Sequence, residues 1–277
     1  MLITRHAEAE AVLRDTRYVP PPVRQDGEEG TLAWLRARVS RFSTGETHAL
    51  RRRELTGLLS GLDLTALRSA ARTATSDRGG RWRGVPTVVL AAALGLDDPR
   101  TVADAVAAAA TGYLSGEESP QADAAVAELL KSAGIPAITL LLQAHASTEA
   151  LIENALTHTG HTPTSASGHA ASSAPGLGAV PARERMAPGD IDALLHETLR
   201  QDPPLKATRR LDTRTGDEVT IDLVAANRDP GVFPAPELFD TTRGQTPHLT
   251  FGHGVRPCPA SAHALALAAG VLEGVLG

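Results

Sequence analysis

At 277 residues the chain is long enough to bury a substantial core, as one large domain or two small ones. A formal net charge of −5 argues against nucleic acid as the main partner, and a single cysteine excludes an internal disulfide framework. Aromatics make up only 3% of residues, so Leu, Ala and Val must fill the core. The start, MLITRHAEAEAVLRD, has no apolar signal core, and apolar runs such as that near 137–142 are far short of a bilayer span. These features predict a soluble, cytoplasmic protein without a membrane partner.

The pattern along the chain is mostly helical. AEAEAVLRDTRY (7–18) reads as a short helix stopped by the prolines at 20–22, which cannot continue it. EEGTLAWLRARVSRF is a second candidate. GETHALRRRELTGLLSGL is a third, with Leu50, Leu55, Leu58 and Leu59 as its apolar stripe. Its Arg51-Arg52-Arg53 run reads as a solvated face or as anchors for an acidic ligand. VPTVVLAAALGL and DPRTVADAVAAAATGYL follow as packed helices, the second opened by Asp-Pro. Residues 133–156 form the most distinctive segment, apolar nearly all round and therefore expected to be buried, with a length of about 36 Å. Gln143, His145, Ser147 and Thr148 lie in its middle, and polar groups there must find partners or face a cavity.

Residues 158–190 are small, polar and rich in Gly and Pro, which reads as a flexible internal linker. His158, His161 and His169 within it lack the spacing that would hold a metal. DIDALLHETLRQDPP restores a helix closed by a Pro pair, and Val219–Leu223 alternates as a strand after a Thr-Gly-Asp turn. CPASAHALALAAGVLEGVLG ends the chain as an alanine- and leucine-rich helix. The expectation is one domain over 1–277, mainly α with a small β-sheet near 205–225 (an α+β fold).

The lone Cys258 lies in LTFGHGVRPCPA. Pro259 suits the first position of a helix, which would put Cys258 at the helix mouth, where unpaired amides favour an anionic sulfur. Gly252 and Gly254 let the chain curl around that sulfur, and Arg256 offers a fork for a carboxylate. A haem, with its iron and two propionates, suits both groups. A small buried hydrophobe at a helix start is the plainer reading of the same residue.

FGHGVRPCPA resembles the haem-binding signature of the cytochrome P450 family, Phe-Gly-x-Gly-x-(His/Arg)-x-Cys-x-Gly, with Ala260 in place of the last glycine. HETLR resembles the family's Glu-x-x-Arg pair as Glu197 and Arg200, and Arg228 in AANRDPGVFPAPELFD is the arginine expected to lock onto it. GETHALRRREL resembles the helix whose His-x-x-x-Arg, here His48 and Arg52, holds a haem propionate; PPLKATRRL supplies a further propionate arginine, aligned as Arg210. These motifs run in family order from residue 7 to residue 270. The resemblance implies haem b (iron protoporphyrin IX) held by His48, Arg52, Arg210, Phe251 and Arg256, with Cys258 as the iron ligand.

The chain also departs from the family. Where relatives carry Ala-Gly-x-(Asp/Glu)-Thr over the distal haem face, this chain reads Gln143-Ala144-His145-Ala146-Ser147-Thr148, so the proton-relaying acid has become Ala146. Ser147 and Thr148 are the candidate catalytic residues, and His145 the candidate for a structural, hydrogen-bonded histidine. Strands ahead of AEAEAVLRD are expected to be missing, the lid helices abbreviated and the terminal hairpin absent. The resemblance implies a haem-thiolate oxidoreductase of monooxygenase or peroxygenase type, acting on a small to medium organic substrate, with secondary metabolism as a setting. A ferredoxin or similar reductase, or peroxide, would serve it. A second copy could complete the trimmed substrate roof. The alternatives are non-monooxygenase haem-thiolate chemistry (lyase, isomerase or cyclase), a haem-binding non-enzyme, or a scaffold that no longer holds haem.

Overall fold

A computed structural model describes residues 1–160 and 188–277. The chain opens with β1 (Leu2–Ile3), α1 (His6–Arg14) and β2 (Tyr18–Val19), then α2 (Leu32–Arg36) and a 3-10 turn (Ser40–Phe42). The helices α3 (Gly45–Ser60), α4 (Leu64–Asp77), α5 (Val85–Ala93), α6 (Pro99–Tyr113), α7 (Pro120–Ser132) and α8 (Ile135–His158) follow. After them come α9 (Pro188–Gln201), β3 (Ala207–Asp212), β4 (Glu218–Asp222), the single turn α10 (Leu223–Ala226) and α11 (Ser261–Leu276). The mainly helical architecture with one small sheet is the one the sequence predicts.

The sheet runs β1-β4-β3-β2. β3 and β4 form an antiparallel hairpin, β2 pairs antiparallel to β3, and β1 lies parallel to β4. The expectation that no strand precedes the first helix is therefore corrected. Two residues suffice for β1 because the Met1 amine and carbonyl also bond to Glu218 O and Thr220 N. Ile3, Val12, Leu13, Val219, Ile221 and Leu249 close a satellite core between this sheet and α1.

The main core joins α2, α4 to α9 and α11. Two of these helices, α4 and α7, are absent from the sequence expectations. Their start signals are caps: Asp63 accepts from the Thr65 and Ala66 amides at 2.7 and 3.1 Å, and Ser119 accepts from Ala122, with Pro120 behind it. The second candidate helix is shorter than its pattern, breaking after Arg36 into the 3-10 turn. Of residues 158–190, His158 closes α8 and Pro188–Asp190 open α9, so neither end is linker. Residues 161–187, with His161 and His169, lie outside the described residues.

By length and composition α8 is the one helix among the described residues that could cross a membrane, and half of its apolar window is buried. Ile138, Leu141, Leu142, Leu151, Ile152 and Leu156 anchor its two ends in the core. Between these ends the helix changes character. Ala146 and Ser147 are exposed, and Gln143 is half-buried. Spaced i, i+3, i+4, the three form one open face. Leu140, Leu55 and Leu59 pack together, with Ala260 against them, so α8, α3 and the cysteine loop meet at one place.

Candidate functional site

The cysteine loop is built by backbone constraint. The Cys258 amide donates to Phe251 O at 2.6 Å, closing a ring of residues 251–258. Gly252 and Gly254 hold φ of 74° and 65°, as their expected role requires. A Cβ on Gly254 would lie 2.7 Å from Arg14 Cα, because the loop is pressed against the end of α1 and Val255 N donates to Leu13 O. Gly254→Ala combines a left-handed residue with a backbone clash, so it should destabilise the fold by about 2 kcal/mol or more in urea unfolding.

One detail of the expectation is corrected. Pro259 is not the first helical residue. α11 begins at Ser261 with Ala260 as its cap, and Cys258 sits ahead of a Pro259–Ala260 turn. The dipole argument for an anionic sulfur therefore weakens. Burial pushes the thiol up, opposed by the Ala260 N–H and by Arg52 and Arg41. The substitution of Ala260 for glycine carries no strain, because its φ is −111°.

Around this loop the structure brings four of the predicted binding residues together. Arg52 on α3 donates to Pro257 O, and Arg256 donates to Ser43 O at 2.8 Å. His48 lies one turn before Arg52, and its imidazole is pushed down to about 4 by burial, then by Arg256 and Arg52. Arg210 on β3 is pushed down to about 10 by burial, then by Arg256 and Arg41. Burial and Arg52 lower Arg256 in turn. Arg52, Arg210 and Arg256 are half-buried cations that repel one another beside a neutral His48, and among the described residues none of the four has a carboxylate partner. Arg51, beside them, is spent on the carbonyls of Ala37 and Val39 and on Ser43 Oγ, while Arg53 is exposed.

A flat ligand with two carboxylates and an affinity for thiolate answers each of these features. The cations without carboxylate partners need anions, Cys258 is free, and α8, whose middle carries an open face, packs through Leu140 near the loop. The residues fit a haem. Phe251 is half-buried, packed on the main core with its ring 5.8 Å from His248.

The predicted catalytic pair divides. Ser147 is on the open face of α8, whereas Thr148 is 1% exposed on the buried side and its Oγ1 has no hydrogen-bond partner. His145 is held structurally, with Nδ1 2.9 Å from Thr87 Oγ1. Glu149 accepts from the Gly84 amide at 2.8 Å, capping α5. Along the open face of α8, then, no carboxylate stands in for Ala146.

The Glu197–Arg200 pair is buried and bidentate, at 2.9 and 2.6 Å. The expected third member, Arg228, does not reach it: its guanidinium donates to Gln201 O and Glu237. Arg243 takes that place, 3.4 Å from Glu197 Oε1 and bonded to the Pro234 and Ala235 carbonyls. Its position after the Thr-Thr of a 3-10 turn carries no sequence signal beyond charge.

His248 precedes the loop, half-buried beside His196, with an unpartnered Nδ1. Burial, then His196, pushes its imidazole down to about 4 from an ordinary 6.5. The unfolded chain takes up the proton first, so stability present above pH 6.5 is lost as pH falls towards 4. With allowance for partial exposure the loss is about 2 kcal/mol. Urea unfolding at neutral and acid pH should show it, and His248→Phe should flatten that dependence.

This fold and site define a mainly helical protein with a cysteine loop beside a cluster of cations that have no carboxylate partner among the described residues. No protein-family model matches the chain. The biotin biosynthesis cytochrome P450 of Bacillus subtilis (strain 168) is 39% identical over 84 residues, which is 27% of this chain and 21% of the relative. The cyclomarin C epoxidase CymV of Salinispora arenicola is 36% identical over 90 residues, 29% of this chain and 23% of the relative. These matches thus span less than a quarter of either relative's length. Among solved structures, P450BioI in complex with an acyl carrier protein ligated to hexadec-9Z-enoic acid superposes with a TM-score of 0.72 at 21% identity. That likeness covers 99% of this chain and 83% of the other. CalO2 gives 0.75 at 20% identity, covering 99% and 82%. The chain is thus similar to curated cytochromes P450 over part of its length, and its fold is that of the solved cytochrome P450 structures.

Proposed function

We propose that the protein is a haem-thiolate oxidoreductase of monooxygenase or peroxygenase type, acting on a small to medium organic substrate. One observation carries this reading: the loop of the free Cys258 lies beside Arg52 and Arg256, with His48 and Arg210 next to them, and among the described residues none of these four has a carboxylate partner. Haem b would be held with its propionates on those four side chains, Phe251 beside it and Cys258 as iron ligand. When bound, it supplies the activation of dioxygen or peroxide for substrate oxidation. Arg52 and Arg41 would favour the thiolate form of Cys258, and the loop amides would fix its direction. Ser147 would hold water or substrate by its hydroxyl at the open face of α8. Electrons would come from a ferredoxin-type donor.

The bare open face of α8 supports a second reading. With Ala146 in place of an acid and Glu149 turned to Gly84, the chain offers no carboxyl proton donor there. Lyase, isomerase or cyclase chemistry makes less demand on such a donor.

The test is the absorbance spectrum of the purified protein, reduced under carbon monoxide. A strongly red-shifted Soret band is expected, and Cys258→Ser should abolish it while leaving the far-UV circular dichroism unchanged. A protein that takes up no haem would sink the reading. Substrate-dependent consumption of NADPH or of peroxide then separates the two chemistries.

A further inference from the structure

Arg41 is the cation of this cleft that the family resemblance does not use. It lies on the 3-10 turn Ser40–Phe42, half-buried. Among the described residues its guanidinium makes no hydrogen bond and no ion pair. Its charge is felt at Arg210 on β3, at Cys258 in the loop and at Tyr113 on α6, three groups that converge from different elements. Its Cζ lies 5.9 Å from the centroid of the Phe42 ring, which in turn packs towards α6.

The surroundings are built to hold polar atoms. Tyr113 is 1% exposed, and its hydroxyl lacks a well-formed hydrogen bond, with the Gln143 amide its nearest partner. The ring of Phe42 lies 5.9 Å from that of Tyr113 and ties the Arg41 turn to α6. Gln143 belongs to the open face of α8, one turn before Ala146 and Ser147. The Phe42 ring thus links a half-buried guanidinium without hydrogen bonds, its Cζ 5.9 Å from that ring's centroid, to the Tyr113 hydroxyl and the Gln143 amide.

Charge counting separates Arg41 from the propionate anchors. Two propionates carry two negative charges, and Arg52, Arg210 and Arg256 already supply three permanent positive ones. A further half-buried guanidinium among like charges is unfavourable unless another anion joins it.

We infer that Arg41, with the Tyr113 hydroxyl and the Gln143 amide, forms a subsite for the carboxylate of an anionic organic substrate. The inference rests on the haem-thiolate reading.

The test uses two probes whose binding does not depend on knowing the substrate. One is imidazole N-alkylated with a four-carbon chain ending in a carboxylate; the other is its twin ending in a primary alcohol. Each ligates the haem iron of the loaded protein and is titrated by the Soret shift. The acid should bind roughly tenfold tighter than the alcohol. Arg41→Gln should erase that preference, and Arg53→Gln, an equal loss of charge at an exposed position of α3, should keep it. Equal binding of acid and alcohol by the natural chain overturns the subsite, as does a preference that survives Arg41→Gln. Loss of bound haem in Arg41→Gln with the preference unchanged assigns Arg41 to a propionate and overturns it too. A natural chain that takes up no haem gives no Soret band with either probe. That result removes the haem reading, and the subsite falls with it.

Discussion

Arg200→Ala is expected to cost about 3–5 kcal/mol, a large part of the stability of a domain this size. Arg200 is fully buried, and its guanidinium donates to both Glu197 oxygens, to Gln201 Oε1 and to the carbonyls of Asn227, Pro236 and Leu238. Truncation leaves Glu197 as a buried charge and strips three backbone acceptors of their donor. Those acceptors lie on the segment that leads from α10 towards the cysteine loop, so the loss is tertiary. Arg200→Lys should rescue little, since one ammonium cannot span this fork of acceptors. Arg228→Ala should cost only about 1 kcal/mol, because it removes bonds to one carbonyl and an exposed ion pair. Guanidinium unfolding midpoints rank the three. Equal losses for Arg200→Ala and Arg228→Ala would remove the distinction drawn here between them.

The contrast between Arg228 and Arg243 shows what the sequence carried and what it did not. Glu197 and Arg200 are legible because their partnership is local: three residues apart on one helix face, they meet whatever the rest of the chain does. Their third partner is set by how a long irregular segment folds back over α9, and no periodicity encodes that. The cysteine loop was legible for a similar reason. Its two glycines mark backbone angles that other residues reach only with strain, and the structure places both in the left-handed region. The start of α11 was misjudged because Pro259 fits a turn as readily as a first helical position. Thr148 and Ser147 are neighbours in sequence, yet a helix turns successive residues by about 100°, so one faces the core and the other does not.

Fold class was the easier inference. Helix period and helix-forming composition dominate long segments such as α8, whose observed span differs from the expected one by two residues at each end. The omissions, α4 and α7, are helices of mixed, alanine-rich composition whose clearest marks are single capping residues, Asp63 and Ser119. β1 and β2, two residues each, are too short for alternation to register. They exist because the β3–β4 hairpin offers edges to pair with.

Arg210→Met should move two quantities in opposite directions. In the haem-free chain Arg210 is held among Arg256 and Arg41, with its hydrogen bonds confined to Thr208 and the Arg209 carbonyl, and its depressed titration registers the cost of that charge. Methionine keeps much of the stem's packing and removes the charge, so the haem-free protein should gain about 1–3 kcal/mol in urea unfolding. A ligand bearing propionates loses one charge-assisted contact in the same variant. Its affinity should fall by roughly a hundredfold, read from the rate of haem transfer to apomyoglobin. An arginine with a merely structural role would weaken the haem-free chain on removal. Opposite signs for stability and haem retention are what a binding residue, held at a cost to the fold, produces. If Arg210→Met destabilises the haem-free chain, Arg210 is part of the scaffold and the cationic cluster loses its reading as a propionate cradle.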